Sequence, residues 1–157
     1  MIQFTPIGFA NTQYDNIDNM PIQGAGIADN VGEINILPEF TEGLDDLKDF
    51  SHIYIIFHLN KCTKSALKVI PFLDKEPRGI FATRSPTRPN PIGLTIVEIV
   101  KIKKSSIFVK GLDLLNDTPI LDIKPYIQSF DNIPDTKDGW YVKGKDPKCT
   151  LSDDRFK

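Results

Sequence analysis

Residues Ile53–Leu59 alternate, with Ile56 the one aliphatic residue on the second face. Ile53, Ile55, Phe57 and Leu59 fall on one side of an extended chain; His52, Tyr54, Ile56 and His58 fall on the other. A period of two is the pattern of a strand with one face in a core. Shorter runs read the same way: Phe4–Phe9, Glu33–Leu37, Leu67–Ile70, Gly79–Thr83, Leu94–Val100, Ile107–Leu112 and Pro119–Ile123. Helical spacing is confined to Thr41–Lys48, where Leu44 and Leu47 lie three apart and Thr41 can serve as N-cap. Many short strands with one or two short helices imply a mainly β fold. The expected architecture is a single antiparallel-rich sheet, closed or nearly closed into a β-barrel, because closure removes exposed edges. The 157 residues suit one domain. Residues 1–143 are assigned to the barrel and 144–157 to a polar C-terminal tail, with Trp140-Tyr141-Val142 as an anchoring strand before it.

Several function classes are excluded. No Gly-x-Gly-x-x-Gly or Gly-Lys-Ser/Thr joins a strand to a helix, and the strand–helix alternation of a doubly wound sheet is missing. No apolar run is long enough to span a membrane, and the N-terminus lacks the layout of a secretory signal. Cys62 and Cys149 have no metal spacing around them, and a reduced intracellular pair fits them better than a disulfide. A cytoplasmic protein without a metal centre is expected. The net charge of −2 argues against a broad electrostatic grip on nucleic acid. The charge is uneven, however. Acids gather in Glu39–Asp49 and Asp131–Asp138, bases in Lys61–Lys68 and Arg78–Arg88, then at Lys101, Lys103 and Lys104.

The chemistry concentrates in Gly79–Gly93, GIFATRSPTRPNPIG. Pro86, Pro89 and Pro91 fix φ, remove N–H donors and bias their predecessors away from helix. Arg84 and Arg88 therefore sit on a stiff, extended loop rather than on a helix face. Such a loop presents two planar cations with little ordering entropy left to lose, which suits a carboxylate, a phosphate or a nucleotide. Arg84, next to the strand end, is expected to be the better fixed of the two. His58 closes the strongest strand, at an element end where loops build sites. His52 lies six residues earlier, about 20 Å along a strand, too far to share a metal with it. Asp122 and Lys124 alternate onto one face of a strand that Pro125 ends. The long polar stretch Asn11–Asn30, containing Pro21-Ile-Gln-Gly24, has the length of a functional loop.

Together these segments resemble the TsaA-like proteins, to which the TrmO tRNA methyltransferases belong. Gly79–Gly93 carries the central signature. Pro6-Ile-Gly8, Pro21-Ile-Gln23, Glu42-Gly-Leu44, Phe50-Ser-His52, Phe57-His58 and Leu121-Asp-Ile-Lys-Pro-Tyr126 match in order, so the resemblance covers roughly residues 4–126. It implies a β-barrel methyltransferase that uses S-adenosyl-L-methionine as a homodimer. The implied substrate is tRNA carrying N6-threonylcarbamoyladenosine next to the anticodon, methylated at N6. The implied cofactor-binding positions are Pro21, Ile22, Gln23, His58, Leu59, Arg84, Leu94, Asp122, Ile123, Lys124 and Pro125. Arg84, His58 and Asp122 are the implied catalytic group, and Arg88, Lys124 and Tyr126 the substrate contacts. Two alternatives are a non-catalytic sensor of S-adenosyl-L-methionine or a nucleotide, and a methyltransferase acting on a small molecule. The chain departs from the family pattern at Ile22, where arginine is common, at Leu59, where a polar residue often stands, and at Asp117, where glycine often precedes Thr-Pro. The extra C-terminal domain of the longer bacterial members is not expected here.

Overall fold

The computed structural model describes residues 1–18 and 30–141. Eight strands are formed among them: β1 (Gly8–Asn11), β2 (Val31–Ile36), β3 (His52–His58), β4 (Lys68–Val69), β5 (Arg78–Gly79), β6 (Ile92–Lys103), β7 (Ser106–Lys110) and β8 (Pro119–Pro125). A single helical turn, α1 (Gln128–Asp131), follows. Six strands close into an antiparallel barrel in the order β1-β2-β7-β6-β3-β8, while β4 and β5 pair separately. The mainly β, closed-barrel expectation holds.

Alternation decides the barrel's inside. Ile53, Ile55 and Phe57 of β3 are buried, and their partners Val97, Ile123 and Ile120 point to the same interior. Ile34 and Ile107 face each other in register across β2 and β7, with Ala10, Ile36, Val109, Leu112 and Leu114 filling the remainder. Gly93 is the narrow point. A Cβ there would overlap the Phe57 ring, which lies directly across from it in the ladder. The glycine thus lets a large aromatic plug the barrel below the Gly79–Gly93 loop.

Four local expectations are corrected. Gly79–Thr83 is not a strand; only Arg78–Gly79 pairs, with two residues of β4, and Ile80–Ala82 closes into a 3-10 turn. Thr41–Lys48 is not one helix capped by Thr41. Pro38–Leu44 and Leu47–Asp49 are separate 3-10 segments, split where Asp46 takes φ 63°. The leucine spacing nonetheless selects Leu47, which is buried. The first strand begins at Gly8 rather than Phe4, although the N–H of Ile7 still bonds the carbonyl of Ile120. Asp117 takes φ 60°, the left-handed region that glycine enters freely and Asp tolerates. That accounts for an aspartate where glycine is common. Trp140 and Tyr141 form no strand; Trp140 anchors through its indole instead. Val142, Cys149 and the tail 144–157 lie outside the described residues.

Candidate active site

With Ile53, Ile55 and Phe57 turned inward, His52, Tyr54, Ile56 and His58 line the outer face of β3, partly exposed. Register brings their neighbours alongside. Leu94 of β6 and Asp122 of β8 flank Ile56; Ile96 and Lys124 flank Tyr54; Ile92 pairs with His58. A bulge is what places Asp122. Ile120 pairs with Phe57 and Asp122 with Ile56, so Leu121 is the extra residue. In an unbroken strand Ile120 and Asp122 would share a face; the extra residue lets Ile120 face the core while Asp122 faces outward. His58, Leu94, Asp122 and Lys124 therefore share one surface. Asp122 Oδ2 lies 2.8 Å from Lys124 Nζ, and Oδ1 accepts the Ile123 N–H at 2.9 Å. Both side chains are half exposed, so the pair contributes little to stability and stays open to a ligand.

Beside this face the chain leaves β3, makes the excursion 59–91 and returns as β6. The N–H of Leu59 bonds the carbonyl of Pro91, that of Ala66 bonds Thr87, and that of Ile80 bonds Leu67. The 3-10 turn at Ile80–Ala82 is capped almost completely. Its Ile80 carbonyl accepts the Thr83 hydroxyl at 2.9 Å and Arg88 Nη1 at 3.1 Å. Arg88 Nη1 also donates to the Thr83 carbonyl at 2.8 Å. The Trp140 indole donates to the Ala82 carbonyl at 2.6 Å. Ser85 and Thr87 are buried with their hydroxyls 3.1 Å apart. The expected order of the arginines is thereby reversed. The proline-stiffened segment folds back far enough for Arg88 to cap the turn, so Arg88 is the fixed one. Arg84 is exposed and has no hydrogen-bond or ion-pair partner among the described residues.

Other predicted positions are dispersed. Pro21, Ile22 and Gln23 lie outside the described residues. The Leu59 and Ile123 side chains pack against the core, leaving only their backbones for a ligand. Pro125 ends β8 opposite Ile53. Tyr126 stands at the far end of β3 from His58: its N–H bonds the carbonyl of His52, and its ring lies 5.7 Å from Tyr54 and 6.5 Å from His52. Partial desolvation, then the Asp131 carboxylate and Tyr126, raise the pKa of the Tyr54 hydroxyl above its ordinary value; a hydrogen bond to Asp131 adds to this. Tyr54, Ile56, Ile96 and Trp140 were missed as site residues. Alternation could have found the first three, since they share the period of His58 and Leu94; Trp140 carried no such signal. A shallow groove of about 460 Å³ among Asn11, Asn30, Glu33 and Phe108 contains none of these side chains. We take the convergence of polar groups, not that groove, as the site.

Residues 9–132 match the model of the tRNA-methyltransferase O N-terminal domain. The chain belongs to that family. It is 40% identical over 143 residues to a probable S-adenosyl-L-methionine-binding protein of Pyrococcus abyssi, covering 91% of this chain and 78% of the relative. It is 41% identical over 101 residues to the tRNA (adenine(37)-N6)-methyltransferase of Mus musculus, covering 62% of this chain but 23% of that enzyme. The crystal structure of TrmO from Pseudomonas aeruginosa superposes with a TM-score of 0.76 at 28% identity, over 90% of this chain and 63% of that one. The chain thus spans less than two thirds of the TrmO chain and about a quarter of the mouse enzyme.

Proposed function

We propose that this protein uses S-adenosyl-L-methionine to methylate N6 of N6-threonylcarbamoyladenosine next to the anticodon of tRNA. The observation that carries the reading is the outer barrel surface shared by His58, Leu94, Asp122 and Lys124, with an exposed, unpartnered arginine, Arg84, on the excursion that leaves β3 after His58. It is supported by the family and by the named activities of its relatives.

The residues fit the cofactor. Leu94, 55% exposed, and Ile56 offer apolar contact for an adenine. Lys124 suits a carboxylate, and Asp122 suits ribose hydroxyls or an ammonium. The bound cofactor supplies an electrophilic methyl group on a sulfonium. The acceptor nitrogen is urea-like, with a delocalised lone pair, so it becomes a nucleophile only as its proton leaves. Both Asp122 oxygens are already engaged. That leaves His58, partly exposed at the strand end, as the proton acceptor and gives Asp122 a positioning role. Arg84 pairs with the carboxylate of the threonylcarbamoyl group and stabilises charge developing on the adjacent urea. A homodimer completes the reading. Ile92, Leu94 and Ile96 form an exposed apolar row on β6, the kind of surface a second copy covers.

The decisive experiment compares methyl incorporation into one tRNA transcript with and without prior threonylcarbamoylation, read by nucleoside mass spectrometry. Transfer only to the modified transcript is expected. Equal transfer would remove the carboxylate role of Arg84. Cofactor binding with no transfer to either would favour a sensor or a small-molecule enzyme.

A further inference from the structure

The excursion between β3 and β6 differs in charge from the rest of the protein. From Lys61 to Arg88 it carries seven cationic and two acidic residues, in a chain of net charge −2. One of the two acids, Asp74, is already neutralised by Arg78 at 2.7 Å. At the crest stands Phe81, 77% exposed, and Leu67, 69% exposed, is tied to its neighbour: the Leu67 carbonyl accepts the N–H of Ile80. Phe81 is not loose. It is the middle residue of the capped turn, and the carbonyls of residues 80, 82 and 83 on either side of it are all bonded by side chains. The Arg88 guanidinium lies 5.9 Å from its ring centroid. Arg84 follows three residues later, and Lys68 stands opposite Gly79 in the β4–β5 pair; neither has a partner among the described residues.

A capped, solvent-facing aromatic ring backed by a guanidinium, with the cations Arg84 and Lys68 nearby in the chain fold, is the arrangement that binds unpaired nucleotides. Bases stack on the ring, and the cations meet phosphates. We propose that excursion 59–91 is the RNA-docking lobe of this protein and that Phe81 stacks against an unpaired anticodon-loop base beside the one being methylated. The proposal rests on the tRNA methyltransferase reading and adds the surface by which RNA is held. The exposed ring beside free cations selects RNA as the occupant, because a nucleotide offers both a base to stack and a phosphate to pair. The weak overall attraction expected of a net negative protein is thereby concentrated in one lobe.

The test measures binding of an anticodon stem-loop RNA across a salt series, alongside calorimetry with S-adenosyl-L-methionine. Phe81→Ala and Phe81→Leu should each weaken RNA binding roughly 5- to 100-fold, the range for loss of one stacked base. Phe81→Trp should restore it, and the cofactor affinity of all three should stay unchanged. Lys68→Ser should weaken binding and reduce the slope of log K against log salt by about 0.7–0.9, as loss of one phosphate contact does. Wild-type RNA affinity in Phe81→Ala and Phe81→Leu would overturn the platform while leaving the methyltransferase reading intact. A shift in oligomeric state with RNA affinity unchanged would assign Phe81 to a protein contact instead. No RNA binding by the wild-type protein would sink both proposals together.

Discussion

The barrel and the lobe that interrupts it are built on opposite principles. The barrel is held by apolar side chains packed inward from six strands, each strand paired on both sides. The lobe, residues 59–91, has a two-residue strand pair and a set of side-chain bonds to backbone carbonyls. Burial is distributed, so the barrel sits in a broad energy well. The lobe depends on a few specific bonds, each worth on the order of 1 kcal/mol. The barrel thus provides the frame, and the lobe is carried on it between β3 and β6. Substitutions in the two regions should fail in different ways.

The largest effect should come from the lobe and should leave the fold alone. Arg84→Ala is expected to lower turnover about 10²–10³-fold, the range for losing one cationic donor to developing charge. Its melting temperature should match the wild type, because Arg84 bonds nothing among the described residues. Arg88→Ala is expected to lower stability and turnover together, since the Thr83 carbonyl loses its donor. Steady-state kinetics alongside thermal melts separate the two. An Arg84 variant with near-normal turnover would end its catalytic assignment.

The two glycines that bracket the signature sharpen the contrast. At Gly93, in the barrel, a methyl group meets the Phe57 ring; at Gly79, in the lobe, it meets nothing within 4 Å. Gly93→Ala should therefore destabilise by about 1–3 kcal/mol through overpacking. At roughly 2–4 °C per kcal/mol for a domain of this size, calorimetry would see it easily. Gly79 has φ −59°, which alanine adopts without strain, so Gly79→Ala should be neutral or slightly stabilising. Equal melting temperatures for the two variants would refute this account of Phe57 as the plug of the barrel.

The same division explains what could be read from the sequence. In the barrel, alternation is both the signal and the cause: Ile53, Ile55 and Phe57 were placed inside before any coordinates. Asp122 and Lys124 stood out by alternation and Leu94 through the family resemblance, and register then put all three on the outer face that β3 ends with His58. In the lobe, local pattern misled. Ile80-Phe-Ala-Thr83 has the β propensity of a strand, but β4 supplies only two pairing residues, so the chain closes into a turn. Nor could spacing tell Arg84 from Arg88. Which guanidinium caps the turn depends on where the prolines send the chain, a tertiary fact. The bulge at Leu121 was equally invisible, although it decides that Asp122 faces outward.

The smallest expected effect is a pH response confined to the lobe. Asp74 binds Arg78 Nε at 2.7 Å and also accepts the N–H groups of Lys75 and Glu76. Arg78 in turn lies 5.8 Å from the Trp140 ring centroid, and Trp140 holds the Ala82 carbonyl. The hydrogen bond from Arg78 is the main reason the Asp74 carboxyl has a pKa below its ordinary value, with partial desolvation opposing it. A carboxyl whose folded-state pKa is depressed stabilises the fold above its unfolded pKa. That contribution is lost as the pH falls through the lower, folded value. The Arg78 and Trp140 contacts should thus be intact at neutral pH and loosen only in acid beyond the ordinary carboxylate range. Trp140 is the chain's single tryptophan, so its fluorescence reports the lobe directly. Acid titration should show an emission change with its midpoint below the usual aspartate value, absent in Asp74→Asn. The barrel's far-ultraviolet circular dichroism should be unchanged over the same step. The same transition in Asp74→Asn, or a simultaneous loss of barrel signal, would mean that lobe and barrel unfold as one unit, and the contrast between them would fail.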